Sequence, residues 1–279
     1  MDVRRVLVVG AGQMGAGIAQ VVAASGREVL LYDAVAGATE RAREAMRRSL
    51  AKLAERGGPE PEAVLQRVTT VTRIEAATDV DLMVEAVVED LAVKQTVFRD
   101  ADAALADGAI LASNTSSIPI ASLASATRRP ERVVGMHFFN PVPLMRLVEV
   151  IRAPATSEET ARAVVALARE LGKEPVEVRD VAGFVANRIL MPFINEAVRA
   201  LEDGVAGAEG IDTVARLGFG HPMGPLALAD LIGLDTCVAI MEVLRAGLGD
   251  ARFEPARLLR EHVAAGRLGR KAGEGFYRY

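Results

Sequence analysis

The sequence predicts an α/β fold: a Rossmann-like domain with a mostly parallel sheet, followed by a smaller all-α domain. Three observations carry this expectation. Short β-branched runs alternate with helix-length stretches through residues 1–180. A glycine-rich turn follows the first of those runs. After about Arg179 the strand signals stop and helical periodicities take over.

The strand-like runs are Arg5–Val9, Glu28–Tyr32, Val68–Val71, Leu82–Ala86, Ile110–Ser113, Val133–His137, Leu147–Ile151 and Pro175–Val178. Helical stretches at Met14–Ser25, Ala36–Glu55, Val88–Ala104 and Ser157–Leu171 separate them. Apolar strands spaced by helices of this length form βαβ units and a sheet covered on both faces. No helix separates the runs holding His137 and Glu149, so a local antiparallel or irregular excursion is expected there. Beyond Arg179 the helical patterns are Phe184–Glu202, Glu209–Arg216, Leu226–Leu248 and Pro255–Ala265. Asp180-Val181-Ala182-Gly183 reads as a helix entry at the change, giving domains of 1–180 and 181–279. Leu226, Leu228, Leu231, Ile232, Leu234 and Val238 form a broad apolar face, either an internal core or a dimer interface.

Composition narrows the class. With 51% hydrophobic and 25% charged residues, the chain reads as soluble and globular. A net charge of -4 argues against a nucleic-acid partner, since phosphate binding needs a concentrated positive field. No stretch approaches the ~18 apolar residues of a membrane span. Arg4 and Arg5 before an apolar run resemble the front of a signal peptide, but Gly10 cuts that run short. A single cysteine, Cys237, excludes an internal disulfide and supplies no thiolate cluster, so no metal is expected and a reduced, cytoplasmic setting is.

The segment GAGQMGAGIAQ directly follows Val6-Leu7-Val8-Val9. Gly10, Gly12 and Gly15 satisfy the spacing in which one glycine makes the turn, the next admits a pyrophosphate, and the third packs helix on strand. Gln13 and Met14 then open a helix whose first N–H groups face the phosphates. Asp33 ends the second strand, where a carboxylate accepts the adenosine ribose hydroxyls and repels a 2′-phosphate, so NAD is favoured over NADP. Arg41, Arg43, Arg47, Arg48, Lys52 and Arg56 punctuate the next helix. They are either a solvated face with i,i+4 pairs or a patch for a second phosphorylated ligand.

Among three histidines, His137 alone ends an apolar strand, at the edge where open α/β sheets bind ligands. Glu149 lies in a second apolar stretch, where a carboxylate is costly unless paired, and an imidazole is the obvious partner. A histidine oriented by a carboxylate suits proton removal from an alcohol; a buried pair merely holding a loop is the alternative. Ser113-Asn114-Thr115-Ser116-Ser117 follows another strand, and its polar groups suit a substrate oxygen or the nicotinamide amide.

Taken with SNTSS, VEAVVED plus Lys94, HFFNPVPLMRLVEVI, GFVANRILMPFINEA, GHPMGPLALADLIGLD and GRKAGEGFY, the whole chain resembles the 3-hydroxyacyl-CoA dehydrogenase family, especially its short bacterial 3-hydroxybutyryl-CoA dehydrogenases. The resemblance implies NAD-dependent, reversible oxidation of an (S)-3-hydroxyacyl-CoA to a 3-oxoacyl-CoA. By position it implies His137 as base, Glu149 as its partner, and Ser116 and Asn187 as substrate contacts. It implies further cofactor contacts at Glu89, Lys94, Asn114, Ser116, Asn140 and Lys271. Coenzyme A contacts are implied at Ser49, Lys52 and Arg56, a homodimer through the helical domain, and a monofunctional enzyme without a hydratase half. The alternatives are a same-fold dehydrogenase of a free hydroxy acid or sugar acid, and a non-catalytic NAD-binding protein.

Overall fold

The computed structural model describes residues 2–279. It divides into two compact units, Met1–Asp180 and Val181–Tyr279. In the first, the strands and helices in chain order are β1 (Arg5–Val9), α1 (Gln13–Ala24), β2 (Glu28–Tyr32), α2 (Ala38–Ala54), α3 (Pro61–Leu65), β3 (Val68–Thr70), β4 (Leu82–Glu85), α4 (Leu91–Ala104), β5 (Ile110–Ser113), α5 (Ile120–Ala124), β6 (Val133–Phe138), β7 (Leu147–Arg152), α6 (Glu158–Glu170) and β8 (Glu174–Arg179).

The eight strands form one sheet in the order β3-β2-β1-β4-β5-β6-β7-β8. Pairing is parallel from β3 through β6. Then β7 runs antiparallel to β6, and β8 parallel to β7. The antiparallel excursion expected around His137 and Glu149 is therefore a regular ladder. Val6, Leu7, Val8, Leu82, Met83, Ile110, Leu111, Val133 and Val134 are wholly or almost wholly buried, as strands covered on both faces require. Strand order reverses between β1 and β4, the switch point beside which open α/β sheets bind ligands at the carboxyl ends of their strands.

Local chemistry places the helix starts. Asp90 caps α4 by accepting a bond from the Val93 N–H, and Ser157 caps α6 by accepting from Thr160. The expectation that α4 begins at Val88 is corrected by that cap, which leaves Val88 and Glu89 on the connection from β4.

The second unit is helical: α7 (Ala186–Glu202), α8 (Ala208–Thr213) running on through a π-turn over Val214–Gly218, α9 (Pro225–Ile232), α10 (Leu234–Leu248) and α11 (Arg257–Ala264). Two expectations are corrected. The helix read over Leu226–Leu248 is broken at Gly233, whose φ of 103° is incompatible with continuing the helix. The helix entry read at Asp180–Gly183 is instead a turn, because Phe184 holds φ 51° and α7 starts only at Ala186. Single bridges also pair Gly269 with Glu274 and Glu274 with Arg278 in a stretch read as strand-free.

The core of this unit gathers Met191, Ile194, Val198, Leu226, Leu234, Cys237, Met241, Leu244, Phe253 and Leu259. Burial, together with Asp235 and Asp230, pushes the Cys237 thiol up to about 12. Two buried carboxylates organise the ends. Asp212 accepts bonds from the N–H groups of Leu226 and Ala227 at the start of α9 and from the Tyr277 hydroxyl. Asp230 accepts from Phe276 N, Tyr277 N and the Tyr279 hydroxyl. Among the described residues no helix is long and apolar enough to cross a membrane.

Asp230 is 1% exposed and serves three donors, so Asp230→Ala leaves all three without their acceptor. The expected loss is about 3 kcal/mol, read from urea unfolding of the full chain. A loss below about 1 kcal/mol would show the C-terminal turn to be held by packing alone.

Candidate active site

The glycine turn is shaped by what its glycines touch. Gly10 has φ 102°, and a Cβ there would lie 2.5 Å from the Ala86 carbonyl oxygen, at the end of β4. A Cβ on Gly15 would lie 1.7 Å from the Gly10 carbonyl oxygen, so only hydrogen lets α1 sit on the turn. Around Gly12, by contrast, a Cβ would meet nothing within 4 Å. Gly12 is also the N-cap of α1 and offers no side-chain cap, so the first N–H groups of the helix have no side-chain acceptor there. A helix N-terminus uncapped beside open space is what a pyrophosphate requires.

Asp33 follows β2 and accepts bonds from Ala11 N at 2.6 Å and Val35 N at 2.8 Å. One carboxylate thus ties the turn to the end of β2. Gln13 is exposed and Met14 half-buried at the opening of α1. These residues fit a dinucleotide.

A second cluster lies at the ends of β4 and β5. Lys94, only 1% exposed, sits 2.7 Å from Glu85 and 3.2 Å from Glu89. Glu85 is fully buried and also accepts from Ser113 Oγ and Val87 N, each at 2.7 Å. Reading the sequence missed Glu85; its signal is an acid at the last position of an apolar strand. Glu89 Oε1 accepts from Thr115 Oγ1 (2.6 Å), Ser116 N (2.9 Å), Ser117 N (3.0 Å) and Ser117 Oγ (2.9 Å), with Ser116 Oγ at 3.3 Å. Burial works to raise the Glu89 carboxyl, but Lys94 and the hydroxyl and N–H donors outweigh it and hold it below its usual value.

The third cluster is built by the β6–β7 ladder. His137 and Glu149 are register partners, and His137 Nδ1 lies 2.8 Å from Glu149 Oε2. They are 7% and 2% exposed. The Phe139 ring lies 4.6 Å from the imidazole, and Asn114 Oδ1 accepts from Phe138 N at 2.9 Å, joining the end of β5 to the histidine's strand. Asn140, exposed, begins the connection to β7.

Gly10, Gly12, Gly15 and Asp33 are thus brought together, as are Glu89, Lys94 and Ser116, and His137 with Glu149. Three positions behave differently. Ser49 is half-buried and Lys52 exposed on α2, and Arg56 is exposed just past its end. Their neighbours are engaged: Arg47 and Arg48 pair with Glu44, Arg47 also with Glu62, and Arg43 donates to the Leu65 and Val68 carbonyls. In the second unit, Asn187 is buried in the first turn of α7, and Lys271 pairs with Asp235 at 2.6 Å.

A mostly parallel sheet with this turn and a buried histidine–carboxylate pair defines a dinucleotide-binding oxidoreductase. The family model for the 3-hydroxyacyl-CoA dehydrogenase NAD binding domain matches residues 5–181, and that for the C-terminal domain matches 183–279. The chain is 54% identical to a probable 3-hydroxybutyryl-CoA dehydrogenase of Deinococcus radiodurans, over 98% of this chain and 99% of the relative. It is 51% identical to a protein of the same name from Bacillus subtilis, over 100% and 98%. The crystal structure of (S)-3-hydroxybutyryl-CoA dehydrogenase from Ralstonia eutropha superposes with a TM-score of 0.97 at 45% identity, covering 100% of this chain and 99% of that one. The chain belongs to the 3-hydroxyacyl-CoA dehydrogenase family, and its cofactor is NAD.

Because Glu89 has a lowered pKa, it stabilises the folded state above the ordinary glutamate pKa of about 4.3, and that contribution is lost as pH falls through the lower folded value. Its side chain is 37% exposed, so solvent screens the effect. Glu89→Gln is expected to lower the plateau of a plot of stability against pH near pH 7 and to flatten its acid side, the variant and wild-type curves converging as pH falls through the lowered value. Parallel curves for variant and wild type would exclude this role.

Proposed function

We propose that the protein oxidises (S)-3-hydroxyacyl-CoA, in particular 3-hydroxybutyryl-CoA, to the 3-oxoacyl-CoA, reversibly, with His137 as the base. The observation that carries the reading is the buried 2.8 Å contact between His137 and Glu149 at the end of a dinucleotide-binding sheet. With Nδ1 turned to the carboxylate, proton exchange with substrate runs through Nε2. Glu149 fixes the ring orientation and stabilises the imidazolium formed when the substrate hydroxyl gives up its proton. NAD, when bound, supplies the hydride acceptor.

Gly10, Gly12, Gly15, Gln13 and Met14 are the residues to hold the diphosphate, and Asp33 the ribose. Glu89 and Lys94 shape the floor, while Asn114 and Asn140 flank the histidine strand. Ser116 is assigned to the substrate oxygen. For Asn187 and Lys271 the assignment rests on the resemblance of their motifs alone. Ser49, Lys52 and Arg56 recur every three to four residues along and just beyond α2, a spacing that brings them to one face for the anionic end of coenzyme A.

The same reading includes a homodimer through the helical unit, supported by the exposed apolar side chains Val205, Val214, Leu217 and Phe219. The reading also includes a cytoplasmic setting, supported by cysteine use that needs no oxidising compartment, the lone Cys237 being buried.

His137→Gln is expected to lower kcat by about 10²–10⁴-fold, with NADH affinity within about threefold of wild type. Turnover near wild type would remove His137 from the base role. NADH oxidation is expected with acetoacetyl-CoA and not with free acetoacetate. Equal rates with both would move the substrate to a free acid, and no turnover with any acyl-CoA would point to a non-catalytic NAD binder.

A further inference from the structure

The connection between the two members of the His137–Glu149 pair is held from below by one cation. It leaves β6 after Phe138 and returns at Leu147, two residues before Glu149. Lys173, on the turn between α6 and β8, is 7% exposed, and its Nζ donates to the Val142 carbonyl at 2.5 Å and the Met145 carbonyl at 2.8 Å. Among the described residues no acid pairs with it, and burial lowers its pKa. The next residue extends the clamp, with Glu174 N donating to the Arg146 carbonyl at 2.7 Å.

From the other side the connection rests on α1. Val142 is 2% exposed, and a Cβ on Gly17 would stand 2.8 Å from the Val142 Cβ. Within the connection, Leu144 N and Met145 N both donate to the Pro141 carbonyl. The segment is thus a short, internally bonded bridge between Gly17 of the dinucleotide helix and the ammonium of Lys173.

Burying a cation against neutral carbonyls is an expensive route to stability, since the desolvation cost is not offset by an opposite charge. What the ammonium adds is geometry: one atom with several donors fixes two carbonyls of the connection relative to β8. We infer that Lys173 is a positioning residue for catalysis, holding the β6–β7 connection so that His137 keeps its alignment with Glu149 and substrate. The inference rests on the dehydrogenase reading above.

Because small misalignment of a base costs rate more than binding, the test separates kcat from affinity. Lys173→Met in the full chain is expected to lower kcat with acetoacetyl-CoA and NADH by about tenfold or more, with NADH Kd and KM for acetoacetyl-CoA changed less than about threefold. Lys173→Arg, which keeps a cation and donors, should recover most of that kcat. Gly17→Ala pushes Val142 from the opposite side and is expected to give the same loss confined to kcat. A folded Lys173→Met enzyme with kcat within about twofold of wild type overturns the inference, as does a loss of NADH binding equal to the loss of kcat, which marks a merely structural role. If Lys173→Met does not fold, Gly17→Ala decides: unchanged kcat overturns the inference. Wild-type protein inert toward acetoacetyl-CoA sinks the dehydrogenase reading itself, whereas an active wild type matched by its variants sinks only the role of Lys173.

Discussion

The reversal of chain direction between β6 and β7 is the constraint on which the rest of the site depends. Residues directly opposite in an antiparallel pair share one face of the sheet, and here the opposed residues are His137 and Glu149. A slip of one residue would send the carboxylate to the other face. Packing prevents it: Gly135 opposes Ile151 so closely that a Cβ would stand 2.7 Å from the Ile151 Cβ, and Met136–Val150 and Phe138–Val148 are buried on either side. Apolar close-packing therefore sets the geometry of a polar pair.

The other polar groups are arranged around the same edge by strands that all end there. Glu85, Ser113 and His137 stand at or near the ends of β4, β5 and β6, and each is buried. Inside the protein their charges act through a low effective dielectric, so an unpaired group would be costly and a paired one is held firmly. Lys94 answers Glu85 and Glu89, and Glu89 collects the donors of the Thr115–Ser117 turn. The loop after β5 is thus ordered by an acid that leaves β4. The glycine turn joins this arrangement through backbone alone, Gly10 against Ala86 and Gly15 against Gly10.

Much of this was legible in the sequence, for identifiable reasons. Short apolar runs ended by Gly10, Asp33 and Asn114 place β1, β2 and β5 to the residue, and a histidine at the end of an apolar run with an isolated acid nearby announces the pair. What escaped is what periodicity does not encode. Gly233 sits inside an unbroken apolar pattern, and only its φ of 103° separates α9 from α10. The helices α3 and α5 are too short for a periodic signal. Glu85 hides as the terminal letter of a strand, and Lys173 reads as an ordinary surface lysine until its amine is found against two carbonyls. The basic run on α2 was ambiguous and resolves residue by residue: some of its cations are engaged by Glu44, Glu62 and backbone carbonyls, while Lys52 and Arg56 face solvent.

The lone sulfhydryl of Cys237 lies in the helical core with no exposed surface and a thiol pushed up to about 12. The reactive species of a thiol is its anion, so burial and the raised pKa together shield this sulfur from alkylating and oxidising reagents at neutral pH. Any modification of this sulfur must wait for the helical unit to open, which makes the rate of its labelling a built-in clock for that opening. A fluorophore attached through a cysteine introduced at the surface would, for the same reason, report from a single address.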